Sequence, residues 1–188
     1  LHTLRAACYL FILFAFYGYV TDALFVYRTS PLTGVSNLCA LVGQDWSYAT
    51  TFGEYAEITG SNCASLSALD SFVRFDGVRA VVDSPGLVDI HFLAIVDVVN
   101  AGVWLLVVLL LEVDVRLQER NRFEGIALQL STVAKFVLYS LLALAVVAWM
   151  VTGDFVDWWD AFLWLVAFVF IELNVVEWRH ESQEEAAG

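Results

Sequence analysis

Lys135 and Glu172 are ionisable side chains set inside long apolar runs, residues 130–151 and 158–171 with their immediate flank. At the centre of a bilayer an ionised side chain costs roughly 2.5–3.5 kcal/mol on translocon-based scales. Such groups therefore pair, neutralise or line a wet cavity. Lys135 lies about six residues into the first run, and Glu172 sits about as far from the end of the helix that carries the second. Only residues 152–157 separate the runs, so they must be antiparallel neighbours, with the two charges at one depth. This spacing predicts a Lys135–Glu172 ion pair. Ser131 and Tyr139 flank Lys135 at helical steps of four and extend its polar stripe.

A second set of polar groups lies toward the other ends of the apolar segments. Asp22 falls about five residues from the far end of the first segment, and Asp97 and Asn100, three apart, share one helix face. Two carboxylates at matching depth on neighbouring helices would share a proton or hold a cation. Glu112 and Asp114 form an inner polar cluster with Gln129, Ser131, Lys135, Tyr139, Glu172 and Asn174. The pattern points to an ion or proton pathway built from Asp22, Asp97, Asn100, Lys135, Tyr139 and Glu172. The competing reading makes the same charges polar glue that fixes helix register.

The elements that must position these residues follow from hydropathy. The chain is 188 residues long and 60% hydrophobic, well above the usual apolar share of soluble domains. The expected fold is an all-α integral membrane protein, a single membrane domain of four transmembrane helices in an antiparallel bundle. The helices are expected at about residues 7–27, 88–112, 127–151 and 157–178. The first is read as a membrane span and not a signal peptide, because its apolar run is long and lacks a small-x-small cleavage site.

Residues 28–87 differ in kind, being rich in Ser, Thr, Gly and Asp, with no run of spanning length. A connection of about sixty residues is too long for a structureless loop, so an extracytoplasmic cap is expected. Within it, Leu66, Leu69, Phe72 and Val73 suggest a short amphipathic helix over residues 65–75. Cys39 and Cys63 are the cysteines of this connection and should form one disulfide if it faces an oxidising compartment. Arg116, Arg120 and Arg122 crowd the link between the second and third helices, whereas Asp154 and Asp157 mark the next link. The positive-inside rule then puts the arginine link and both termini in the cytoplasm and the cap outside, consistent with a cell or inner membrane.

Several function classes are excluded on chemistry. A net charge of −12 argues against nucleic-acid partners and against a polybasic lipid-binding surface. His2, His91 and His180 all fall at segment edges, so no facing pair can ligate a membrane haem. There is no CxxC, no HExxH and no nucleophile motif, so neither an enzyme, a cofactor nor a metal site is expected. The topology resembles that of tetraspan proteins with a large first outer loop, such as claudins, but their Trp–Gly–Leu–Trp–Cys–Cys signature is absent around Trp46, Cys39 and Cys63. The leading expectation is a small channel or transport module for a monovalent cation or proton, homo-oligomeric in the lipid bilayer. The alternative is a non-catalytic accessory subunit that assembles with other membrane subunits.

Overall fold

The computed structural model describes the backbone of residues 2–68, 71–120, 125–152 and 155–187. Side chains are described within these except at residues 2, 4, 5, 172, 173 and 175–187. Four long helices carry most of the chain: α1 (His2–Val26), α3 (Ser84–Glu119), α4 (Ile126–Thr152) and α5 (Phe155–Ala187). Among the described residues three segments are long and apolar enough to cross a membrane, Ala6–Val26, Ser84–Glu119 and Ile126–Thr152. At about 1.5 Å per residue, the 36 residues of α3 reach about 54 Å, well beyond a hydrocarbon core of about 30 Å.

The expectation of an all-α chain is corrected by a five-stranded sheet between α1 and α3. Its strands are β1 (Thr29–Pro31), β2 (Ser47–Thr51), β3 (Glu54–Glu57), β4 (Phe72–Phe75) and β5 (Ala80–Asp83), in spatial order β1-β4-β5-β2-β3. Two hairpins supply most of it. β4 and β5 are antiparallel around Asp76–Gly77, and β2 and β3 around Phe52–Gly53. Gly77 and Gly53 sit at φ 90° and 82°, a left-handed backbone that glycine adopts at little cost. β2 joins β5 in parallel, pairing Ser47 with Ala80 and Tyr48 with Val81.

The expected amphipathic helix over residues 65–75 is also corrected. The helix there, α2, is only Cys63–Leu66, and Phe72 and Val73 belong to β4. Because strand side chains alternate, those two residues enter opposite layers. Val73 joins Phe75, Ala49, Ala80 and Val82 against Ala23 and Val26 of α1 and Ile90 and Ala94 of α3. Phe72 and Val81 point the other way, into a second layer with Leu38, Leu41, Ile58 and Cys63. The Cys39–Cys63 disulfide closes that outer layer, joining the 3-10 turn Leu38–Leu41 to α2 with 4.9 Å between Cα atoms.

By packing, the chain divides into two compact units, Leu1–Gly102 and Val103–Gly188. In the first, the ends of the helices are fastened to the sheet. Asp83 directly precedes α3 and accepts the Gly86 amide at 2.6 Å, an N-cap that satisfies one donor of the first turn. A Cβ at Gly86 would lie 2.8 Å from Asp83 Oδ1 and 2.9 Å from Val82 Cγ2, so this cap requires a residue without one. At the end of α1 the Val26 carbonyl lies 3.0 Å from His91 Nε2; a carbonyl only accepts, so that nitrogen carries the proton. The Tyr27 ring stacks on His91 with centroids 4.1 Å apart. In the second unit Val103, Val107 and Leu142 are buried together, and Trp104, Tyr139, Leu165 and Phe168 pack around them.

The same Asp83 accepts the Tyr48 hydroxyl at 2.9 Å through its other oxygen. Burial, and then the hydrogen bond and negative charge of Asp83, push the Tyr48 phenol up to about 12. A phenol raised in the folded state stabilises the fold fully below its ordinary value of 10.0, and that contribution is lost as pH rises through about 12. Stability of the sheet region should therefore fall between about pH 10 and 12. Alkaline unfolding followed by circular dichroism should show this step, and Tyr48→Phe should remove it. An unchanged alkaline limb in Tyr48→Phe would mean that another group sets it.

Candidate intramembrane carboxylate site

Residues 126–152 form a helix because they combine strong helix formers with a largely apolar surface, and α4 must then satisfy its own hydroxyls. Most do so locally. Thr132 donates to the Leu128 carbonyl at 2.9 Å and Ser140 to that of Phe136 at 2.8 Å, the back-bond open to a hydroxyl in an apolar helix. Ser131 instead turns to a neighbouring helix. Its hydroxyl donates to Asp114 Oδ2 of α3 at 2.6 Å, a short charge-assisted bond. Lys135, one turn along α4, places Nζ 3.1 Å from the same oxygen.

The structure shows Asp114 as a partner of Lys135, while the expected Lys135–Glu172 pair rests on a side chain that lies outside the described residues. Side-chain direction accounts for the Asp114 contact. A helical side chain leans toward its own N-terminus, so Lys135 reaches back toward the α3–α4 link, where Asp114 sits. The register agrees. Asp114 is five residues before the last residue of α3, Glu119, and Ser131 is five after the first of α4, Ile126.

This site is dry. Asp114 is 3% exposed and Ser131 5%, while the Lys135 side chain keeps 19%. The carboxylate is saturated on one side only, because Asp114 Oδ1 is buried with no hydrogen-bond partner among the described residues. A buried oxygen left unmatched is costly, typically 1–3 kcal/mol and more when charged. The arrangement can bind a proton on that oxygen or accept a hydrogen bond from a water molecule.

The remaining candidates make contacts of their own. Glu112, half-buried, accepts from the exposed Arg116 Nε at 2.9 Å, an i,i+4 pair on one helix. Tyr139 packs near Phe168, with ring centroids 6.4 Å apart. Gln129 and Asn174 are exposed. In the other unit Asp22 is exposed on α1, close enough to β3 for its charge to act on Tyr55. Partial burial raises that phenol first, and the negative charge of Asp22 adds to the shift. Asp97 and Asn100 are half-buried on α3. No group of three or more His, Cys, Asp or Glu that could hold a metal occurs among the described residues.

No family model, curated protein or solved structure matches this chain. Its function must therefore be argued from its own residues. Asp114 and Ser131 were both legible as members of an inner polar cluster, but their direct contact was not drawn from the sequence. The signal was the mirror spacing about the α3–α4 link, which sets residue 114 opposite residue 131 in an antiparallel hairpin.

Proposed function

We propose that this chain is a small polytopic membrane protein that conducts or exchanges a proton or a monovalent cation through an intramembrane carboxylate. The observation that carries this reading is the buried, half-satisfied carboxylate of Asp114, held between Ser131 and Lys135. Packing alone has no use for a buried carboxylate oxygen without a partner, whereas an ion pathway needs an acceptor that is not already filled. In this proposal four helices span the bilayer, α5 being the fourth. The sheet and its disulfide form an extracytoplasmic cap, with both termini in the cytoplasm. Arg116 and Arg120 beside the α3–α4 link, and a disulfide suited to an oxidising compartment, support that orientation. Asp22, Asp97 and Asn100 would receive the ion outside, and Lys135, Asp114, Tyr139 and Glu172 would carry the inner part of the route. Four helices seldom enclose a pore alone, so the working form is a homo-oligomer.

The test is flux from the purified chain in liposomes under an imposed gradient. Asp114→Asn keeps the size of the side chain and an acceptor oxygen for Ser131 and Lys135 but removes the carboxylate. Flux should fall at least tenfold with elution and helicity retained. No flux from the unaltered chain, or equal flux from Asp114→Asn, would overturn the reading. The accessory-subunit alternative is favoured by the same Lys135–Asp114 contact, which ties α3 to α4 whether or not anything moves. It expects a fixed membrane partner to co-purify and no flux.

A further inference from the structure

Asp114 holds a cation already, and it is part of the chain: the Lys135 ammonium stands 3.1 Å from Oδ2, where a metal ion would otherwise sit. The Ser131 hydroxyl spends its hydrogen on that oxygen too, at 2.6 Å. What remains open is Oδ1, one buried oxygen with no partner among the described residues. Hard metal cations require several oxygen ligands at once, and no cluster of three or more carboxylate, His or Cys ligands surrounds this position among the described residues. A proton requires one lone pair. Building on the proposed function, we propose that the species handled at Asp114 is the proton, and that Lys135 is the built-in charge that keeps Na⁺ and K⁺ out.

The electrostatics favour this strongly. A metal ion on Oδ1 would share one carboxylate with the ammonium on Oδ2. Unit charges about 4 Å apart repel by about 4 kcal/mol at an effective dielectric of about 20, and the repulsion falls off only slowly with distance, so it weakens binding of the ion. A proton on Oδ1 instead removes charge, converting Asp114–COO⁻ and H⁺ into Asp114–COOH. The ammonium then faces a neutral acid and can release its own proton, becoming Lys135–NH₂. Transfer from the acid back to the amine restores the ion pair, with one proton taken up and one given out. No oxidant, reductant or further ligand is needed.

The experiment uses the full chain in lipid nanodiscs and reads binding, not transport. Radiolabelled Na⁺ is titrated onto the unaltered protein and onto Lys135→Met, at fixed ionic strength. The infrared carboxylic-acid C=O band is followed against pH in the unaltered protein and in Asp114→Asn. The proposal expects no saturable Na⁺ binding by the unaltered protein and saturable Na⁺ binding by Lys135→Met. It also expects a pH-dependent carboxylic-acid band that disappears in Asp114→Asn. Should Lys135→Met fail to fold, Lys135→Gln removes the charge while keeping a donor. Saturable Na⁺ binding by the unaltered protein that Asp114→Asn abolishes would overturn it, as would the lack of any Asp114-dependent band. A folded Lys135 variant that gains no Na⁺ binding would overturn the exclusion. Liposomes without flux would remove the transport reading and leave these binding outcomes to decide the site.

Discussion

Replacing Asp114 with Ala should destabilise the α3–α4 packing by about 3–5 kcal/mol, the usual result of stripping one partner from a buried ion pair. The ammonium of Lys135 would keep its place without the carboxylate 3.1 Å away, and Ser131 would lose its acceptor. Lys135→Met alone should do comparable harm from the other side, because Asp114 would then be a buried charge held by one hydroxyl. The double variant Asp114→Leu, Lys135→Met should recover part of the loss, since neither charge of the pair is then stranded and the Ser131 hydroxyl alone lacks its acceptor. Unfolding measured in mixed micelles across this cycle gives the coupling directly. If the double variant were as damaged as the sum of its singles, the contact would have no energetic meaning and the proposed site would lose its foundation.

Replacing Cys39 and Cys63 together with Ser should lower the stability of the sheet region by about 3 kcal/mol, the chain-entropy value for a loop of this length. Their separation is 24 residues, and the bond closes the layer of Leu38, Leu41, Ile58, Phe72 and Val81. The effect should be local. Protease should cut within residues 38–66 while the long helices stay intact. Thermal melts of the unaltered protein with and without reductant should differ in the same direction. A membrane-impermeant maleimide applied to intact cells should label these cysteines only after reduction, if the cap is outside. Melts that ignore the reductant would show that the packed layer holds without its covalent tie.

The long helices were readable because hydropathy sums over twenty residues or more. Residues 127–151 were expected to be helical, and α4 is Ile126–Thr152. The strands were not readable in the same way. β4 and β5 are four residues each, which gives an alternating pattern only two repeats. Leu66, Leu69, Phe72 and Val73 mimicked a helix period because Leu66 ends one element and Phe72 begins another. The turn signals Asp76–Gly77 and Phe52–Gly53 lay in plain view between short apolar runs, and they carried the better information. At the site, residue types were legible, but the Lys135–Asp114 contact was not, because depth along a hairpin does not convey the direction in which a lysine leans. The Glu172 pairing suggested by matching depths falls on a side chain outside the described residues.

Strand β5 ends at Asp83 and α3 begins at Ser84, with no residue between them. Asp83 grips both sides of that seam, through Tyr48 on β2 and the Gly86 amide in the first turn. On the α1 side, the Asp76 amide bonds the Arg28 carbonyl at 2.8 Å, and His91 holds Val26. Sheet and helix ends are therefore joined at three points with no intervening loop on the α3 side. A displacement of β5 would be passed by Asp83 directly to the first turn of α3, because the same carboxylate holds both.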